Sequence, residues 1–340
     1  MNRTTLLNSL RIHKINPHVD CETIERLNSS AGVSTDRLFT DYGQLKQCDQ
    51  PFWLFAPKTV SEAINGLNAA VHVVGMNIRV RGAGHSMNGS TLPKQNELLF
   101  SSLGLRSLRR ISNHSIEVGS GAQVWVIDDF LKQYGCYLPV VNDGGGPAPT
   151  VGGFFCAGGF GVNSRDHGGF WNHVESLRIW SKTFGEKIIY PDDEYFWTLA
   201  AAGNIANTVI LTARLKICGT LHHDIDQDLD FIHYHHPRHL WFTFITTAGK
   251  SAKLYQELAR LNRKLKDYWS PLAPYSYHIK TFGQHRALNF HPSTHSDLIA
   301  AGVWGTIKGV AGPDYSAILG HVDEALSRLP YSCRYWQSEL

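Results

Sequence analysis

A glycine-rich turn that contains a histidine constrains this chain more than any other segment. It reads RGAGHSMNG at residues 81–89 and follows an alternating strand pattern at residues 77–80. Glycine can take positive φ and lets a ligand approach the backbone closely. Successive N–H groups exposed in such a turn form a concavity that binds anions, typically phosphate. We therefore predict a phosphate-binding turn in which His85 grips the cofactor or reacts with it.

Composition excludes several classes of protein. The chain has 340 residues, of which 43% are hydrophobic and 18% are charged, as in globular proteins. The formal net charge is only +3 and no block of Lys and Arg occurs, so we predict no nucleic-acid partner. No apolar run approaches the ~18 residues that a membrane span needs, so we predict no membrane partner.

Cysteine usage and the first residues predict a cytoplasmic protein. The six cysteines are scattered without a C-x-x-C pair, which is typical of free thiols in a reducing compartment. Residues 1–11 lack the apolar core and cleavage site of a signal peptide. Among the 18 histidines, His233 and His235 could share one face of a strand, but no Cys, Asp or Glu nearby completes a recognisable ligand pattern. We therefore predict no metal site.

The elements around the turn weigh against a nicotinamide cofactor. A strand at residues 52–56, a helix capped by Thr59 and Glu62, and the strand before the turn give the order strand, helix, strand. After the turn, the next periodic element at residues 97–101 is again a strand. In the dinucleotide fingerprint, by contrast, the glycines open a helix directly.

A second glycine-rich segment lies about sixty residues further along, with NDGGGPAPTVGG at residues 142–153 and CAGGFG at residues 156–161. Glycines also serve plain turns, but two such segments, both after strand-like runs, favour a shared cofactor. Other elements flank this segment: a hairpin at 107–121, a helix at 124–134, a hairpin at 173–190 and a strand at 207–216.

Past about residue 220 the composition changes, because glycine thins and aromatic residues become more frequent. Strands and helices alternate there, at residues 240–247, 251–266, 300–308 and 315–329. This order predicts a small antiparallel sheet covered by helices. We therefore predict two domains, residues 1–219 and residues 220–340.

With these segments in order, the chain resembles the vanillyl-alcohol-oxidase or p-cresol-methylhydroxylase-type FAD-binding family, and within it the cytokinin-dehydrogenase-like FAD-linked oxidases. The resemblance covers roughly residues 50–217 and rests on four motifs in the family's order: RGAGHSMNG at 81–89, TVGG at 150–153, DHG at 166–168 with VESL at 174–177, and Val209-Ile210. It implies an α+β fold, in which two subdomains bind FAD and a small antiparallel sheet covered by helices forms the substrate domain.

The resemblance also implies a set of cofactor-binding residues. Those at the pyrophosphate are Val80, Gly82, Ala83, Gly84, Ser86 and Ser90; those along the flavin and pyrophosphate are Thr150, Gly153, Cys156 and Phe160; those over the adenine are Val209 and Ile210. In many members the histidine at the position of His85 is bonded to the flavin 8α-methyl carbon. Taken alone, His85 could equally be a loop histidine satisfied by hydrogen bonds. Members with two bonds carry a cysteine where this chain has Ala148, so a single bond is expected, and Cys156 is expected to be a small packing residue.

The reaction that the resemblance implies is hydride removal from a C–H bond beside nitrogen or oxygen of a small organic substrate, with molecular oxygen or another acceptor reoxidising the flavin. Specialised metabolism is the expected setting. Asp143 is the candidate base, although it lies about two residues out of the family's register and could instead simply form a turn before the glycines. Three residues of the second domain are further candidates without a motif: Tyr234, His235 and Tyr277.

Two other functions stay open at this level. One is an NADPH-using FAD reductase of the cell-wall-precursor type, against which His85 argues. The other is a flavin-fold protein with a non-redox or ligand-binding role. The family's C-terminal return to the FAD domain is not visible in residues 332–340, so we expect a shortened substrate region.

Overall fold

A computed structural model describes ten segments of the chain, namely residues 3–17, 39–42, 46–86, 89–142, 149–200, 207–219, 239–282, 297–308, 311–329 and 333–334. Within these segments, strands form three sheets and helices pack against them. The predicted α+β class is confirmed.

The first sheet carries the histidine turn. Its elements, with the helices between them, are α1 (Arg3–Ser9), β1 (Ile12–Ile15), β2 (Phe52–Phe55), α2 (Val60–Asn68), β3 (Ile78–Arg81) and β4 (Leu98–Ser101). The strand order is β1-β2-β4-β3, in which β2, β4 and β3 are parallel and β1 is antiparallel to β2. The predicted helix cap is present, since Thr59 Oγ1 accepts from the Glu62 N–H at 3.1 Å.

Within residues 3–17 the chain forms a helix followed by a strand. After α1, Ile12 and Ile15 are fully buried as β1 adds an edge to the first sheet. Four residues are too few to show a strand period in the sequence, so only the pairing with β2 identifies this element.

The second sheet has five antiparallel strands in the order β5-β6-β9-β7-β8. Its strands and helices are β5 (Leu108–Arg110), β6 (Ser115–Gly119), α3 (Val124–Lys132), α4 (Val151–Cys156), α5 (Ser164–His167), β7 (Val174–Ser181), β8 (Gly185–Ile189), α6 (Glu194–Leu199) and β9 (Thr208–Lys216). Both predicted hairpins and the closing strand are confirmed. The short helices α4 and α5 were not predicted. The two glycines of α4 have low helix propensity and mask its period, and the four residues of α5 are too few to show one.

The third sheet is antiparallel, with the order β11-β12-β10-β13. It comprises β10 (His239–Thr247), α7 (Ser251–Lys264), β11 (Trp269–Ile279), β12 (Leu298–Ile307), α8 (Ala311–Ser327) and β13 (Cys333–Arg334). The strand β11, which contains Pro271 and Pro274, was not predicted from the sequence. Proline cannot donate to a ladder, but β11 is an edge strand, where proline is tolerated.

One face of the third sheet packs under its two helices. Leu254 and Leu261 of α7 and Val322 of α8 share a core with Phe242 and Phe244 of β10. The predicted antiparallel sheet covered by helices is therefore present. The predicted boundary at residues 219 and 220 stays a prediction, because residues 220–238 lie outside the described segments.

Half-buried His173 makes the stability of the fold depend on pH. Its ring lies just before β7, with Nε2 2.8 Å from the His167 carbonyl oxygen. Burial, together with the positive charges of His167 and Lys216, lowers the pKa of His173 to about 4 from 6.5. The folded protein therefore holds this imidazole neutral in a range where the unfolded chain binds a proton.

We expect the free energy of unfolding to fall as the pH is lowered from about 6.5 to 4, because protons then bind preferentially to the unfolded chain. The limit is about 1.4 kcal/mol per pH unit for one group. His173→Gln should flatten this slope in urea unfolding curves across that range. His114→Gln, at an exposed position, is the control and should keep the parental slope. An unchanged slope in His173→Gln would contradict the assignment.

Candidate cofactor site

The histidine turn begins where β3 ends and is built over a buried arginine. Arg81 is 3% exposed, and its guanidinium donates to Thr91 Oγ1 at 3.0 Å and to the Thr40 carbonyl at 2.9 Å. Gly84 has a φ of +80°, and a Cβ there would lie 2.5 Å from Arg81 Nη2. Glycine is therefore required at this position, and it brings the backbone of the turn next to a buried positive charge.

The second glycine-rich segment lies directly against the first. A Cβ at Gly82 would collide with Oγ1 of Thr150, so the absence of a side chain lets the two segments touch. Thr150 is itself held in place, because its Oγ1 also accepts from the Gly153 N–H at 3.3 Å at the start of α4. The first sheet and the α4 segment thus meet at one point.

A cavity opens where the two segments meet. It contains about 870 Å³ of space outside protein atoms, part of it open to solvent. The cavity is lined by eleven of the predicted cofactor-binding residues: Val80, Gly82, Ala83, Gly84, His85, Ser86, Ser90, Thr150, Gly153, Cys156 and Ile210.

Eight lining residues were not predicted from the sequence. They are Thr91, Ser102, Ser120, Pro149, Gly152, Ala157, Leu199 and Thr208. Most are small or carry a hydroxyl and stand outside any motif. Pro149 and Gly152 lie in the second glycine-rich segment, which was the available signal for them, whereas the other six are brought to the cavity only by the fold.

The chemistry of the lining suits a phosphate-bearing ligand. Hydroxyl groups are frequent, and Ser86 Oγ and Ser90 Oγ are 2.9 Å apart beside the turn. Among the described lining residues none is acidic, so no carboxylate opposes an anion there. Leu199 and Ile210 add apolar surface. The cavity therefore combines anion-compatible groups with surface on which a planar ring system can pack.

Ser120 provides a direct test of whether a ligand fits. Its side chain is 1% exposed, and Oγ has no hydrogen-bond partner in the described structure. A buried hydroxyl without a partner costs free energy. Ser120 lines the cavity beside Gly152, where a Cβ would lie 3.2 Å from the Ser120 Cβ. A polar ligand in the cavity can supply the missing partner, so the residues present fit a nucleotide cofactor such as FAD.

His85 lies in the wall of this cavity and is half-buried. Its ring stacks on Tyr42, with centroids 4.5 Å apart and an interplanar angle of 19°. The backbone N–H of Tyr42 donates to the Ser86 carbonyl at 3.0 Å. The contact between Tyr42 and the turn was not predicted from the sequence.

Cys156 lines the cavity as an uncharged group. Burial raises the pKa of its thiol to about 12. Nucleophilic attack requires the thiolate, and this thiol stays protonated at neutral pH. Its chemistry agrees with the expectation that Cys156 is a small packing residue.

Two predicted residues do not line the cavity. Val209 and Ile210 are neighbours on β9, and neighbours on a strand point to opposite faces. Ile210 therefore reaches the cavity, whereas Val209 is fully buried in the core beneath the first sheet. Phe160 packs against Tyr277 of β11, with ring centroids 5.5 Å apart.

Most candidates for the catalytic base lie outside the described residues. These are Asp143, Tyr234 and His235, and Ala148 lies outside them as well. The described candidate, Tyr277, is half-buried, contacts Phe160 and is not among the residues that line the cavity.

Metal and membrane features can be assessed only for the described segments. There, no group of three or more His, Cys, Asp or Glu side chains is arranged to hold a metal ion. His233 and His235 are not among these residues. No helix in the described part of the chain has the length and apolar character needed to cross a membrane.

Comparison with known proteins finds an FAD-binding domain and partial sequence relatives. Residues 53–186 match the FAD binding domain. FAD-linked oxidoreductase ptmO of Penicillium ochrochloron is 28% identical over 202 residues, which are 56% of this chain and 41% of that protein. Berberine bridge enzyme-like 18 of Arabidopsis thaliana is 27% identical over 182 residues, which are 49% of this chain and 32% of that protein.

Among solved structures, a variant of Phl p 4 described as a glucose dehydrogenase aligns with a TM-score of 0.43 and 14% identity, over 83% of this chain and 51% of that one. The chain thus spans about half or less of the length of the proteins it matches. The domain match over the histidine turn and the similarity to these sequence relatives support the resemblance to the p-cresol-methylhydroxylase-type FAD-binding family.

Proposed function

We propose that this chain is an FAD-dependent oxidase or dehydrogenase that removes a hydride from a C–H bond next to nitrogen or oxygen of a small organic substrate. The observation that carries the proposal is the meeting of two glycine segments around one cavity with His85 in its wall. The name of ptmO, an FAD-linked oxidoreductase, supports the same reaction class. Bound FAD supplies the hydride acceptor, and the protein supplies orientation and electrostatics.

The two ends of the cavity have different tasks in this proposal. The turn from Gly82 to Ser86 and the hydroxyl of Thr150 hold the pyrophosphate, with Arg81 supplying positive charge behind the backbone. Ile210 packs on the adenine. The absence of acidic groups from the described lining keeps this part of the cavity favourable to a doubly charged pyrophosphate.

We further propose that a ring nitrogen of His85 bonds covalently to the flavin 8α-methyl carbon. His85 does so by replacing one methyl hydrogen. This substitution is a two-electron oxidation, so molecular oxygen, the acceptor proposed for the oxidase reaction, must finally take up the electrons. The neutral thiol of Cys156 and the alanine at position 148 agree with a single bond.

The substrate side is proposed to be residues 220–340. The third sheet turns one face to its helices and the other toward the FAD-binding part, because Tyr277 on that second face contacts Phe160. Trp241 and Trp304 are directly paired on the same face. Aromatic side chains here offer packing surface to a small organic molecule.

The remaining parts of the reaction are also proposed. Asp143 is the base, and oxygen or another oxidant is the electron acceptor. The setting is specialised metabolism in the cytoplasm.

Replacement of His85 tests the covalent bond. We expect acid-denatured parental protein to retain fluorescent flavin on a gel, whereas His85→Ala should release all its flavin. The thiol of Cys156, which also lines the cavity, stays protonated and cannot replace the imidazole as a nucleophile. His114→Ala, at an exposed position, is the control and should keep its flavin. Complete release of flavin by the parental protein would refute the linkage while leaving FAD binding intact.

Gly82→Ala tests the meeting of the two glycine segments. The added Cβ collides with Thr150 Oγ1. The Thr150 side chain must then move, and its hydrogen bond to the Gly153 N–H at the start of α4 is weakened or lost. We expect FAD content after gel filtration to fall at least about tenfold, with a stability loss of about 1 kcal/mol from the disturbed cap. Gly249→Ala, where a Cβ meets open space, should change neither quantity. Full FAD content in Gly82→Ala would count against the site.

Asp143→Asn tests the proposed base. Small amines and alcohols are first added anaerobically to the parental protein, and those that bleach the flavin are substrates. For such a substrate we expect Asp143→Asn to slow bleaching by about a hundredfold to ten-thousandfold at unchanged FAD content, as is usual when a general base is lost. Asp192→Asn, at an exposed position in the second subdomain, is the control. A parental rate of flavin bleaching in Asp143→Asn would show that Asp143 is not the base.

A further inference from the structure

The aromatic ring of Tyr42 covers one face of the His85 imidazole. The two rings are nearly parallel, at 19°, with their centroids 4.5 Å apart. Tyr42 precedes the matched FAD-binding domain, which begins at residue 53. The contact therefore comes from a part of the chain that the domain itself does not include.

Tyr42 is held firmly by its own surroundings. It is 7% exposed and belongs to the core of the third sheet, where its ring centroid lies 6.0 Å from that of Trp241. Its backbone N–H donates to the Ser86 carbonyl at 3.0 Å, and the neighbouring Thr40 carbonyl accepts from Arg81 at 2.9 Å. The segment thus contacts the turn on both sides of His85, through Arg81 and Ser86.

A fixed stacking partner determines where the nitrogens of an imidazole can point. Both nitrogens lie in the ring plane, so a ring that cannot tilt presents them in constant directions. The stack occupies one face of His85, while the residue still lines the cavity. Bond formation needs the reacting atoms aligned at about 3–3.5 Å, and misplacement by about 1 Å can cost a hundredfold in rate.

We propose that Tyr42 is a positioning residue for the covalent attachment of flavin to His85. The inference rests on the proposed covalent bond and extends it to a residue that touches His85 and not the reacting methyl group. The feature that matters is the aromatic face of Tyr42, since stacking uses the ring. Its hydroxyl is not required by this argument.

The test measures how fast apo protein, produced in riboflavin-starved cells, becomes covalently labelled with saturating FAD in air. We expect Tyr42→Phe to label within about twofold of the parental rate, because the ring is kept. Tyr42→Leu keeps an apolar side chain in the core but removes the ring, and it should label about tenfold to a hundredfold more slowly. Total bound FAD, measured before acid treatment, should be equal in all three proteins.

Phe39→Leu is the matched control. Phe39 belongs to the same upstream segment and packs against Phe52, with ring centroids 6.0 Å apart, rather than against His85. It should label at the parental rate. Equal slowing of Phe39→Leu and Tyr42→Leu, or a parental rate in Tyr42→Leu, would overturn the positioning role.

The outcomes also separate this inference from the proposed function. Failure of the parental protein to bind FAD at all would refute the cofactor assignment. Binding without covalent labelling would refute the His85 bond, and the role of Tyr42 with it. Covalent labelling that is insensitive to the ring at position 42 would refute the positioning role alone.

Discussion

The close contact between Gly82 and Thr150 is the constraint on which the rest of the site depends. A side chain at position 82 would collide with the Thr150 hydroxyl, which also caps α4. The contact is possible because the first two sheets are already joined beneath it. Asn207 accepts from the Ile78 N–H at 2.9 Å, and Trp180 donates to Asn68 at 2.9 Å across the same junction. The backbone at Gly82 can therefore approach Thr150 closely above a well-packed core.

The cavity offers a ligand a fixed positive charge behind the turn and a buried hydroxyl that can form a hydrogen bond with it. The guanidinium of Arg81 is buried and fixed by Thr91 and Thr40, so its charge cannot move away from the turn. Ser120, by contrast, has a buried hydroxyl without a partner in the described structure. Native proteins satisfy nearly all such groups. A polar group of a bound nucleotide could pair with this hydroxyl.

The third sheet contributes to the site from outside the FAD-binding domain. Its core includes Tyr42, which stacks on His85, and its edge strand β11 places Tyr277 against Phe160. Aromatic contacts of this kind join surfaces that no continuous strand connects. They also mean that the geometry of the histidine depends on residues far from the turn in sequence. The family resemblance, confined to roughly residues 50–217, contains no information about such contacts.

The sequence by itself determined the local elements and the chemistry of the turn. Glycine, proline and capping residues act over a few positions, so the cap at Thr59, the hairpins of the second sheet and the turn around His85 could be predicted. Elements that depend on a partner could not be predicted, as β1 and β11 show, since an edge strand is defined by pairing and not by its own period. Tertiary structure alone decided which neighbours on β9 face the cavity, which hydroxyls line it and which ring covers His85. The physical reason is range: backbone preferences are local, whereas a cavity is formed by side chains that only folding brings together.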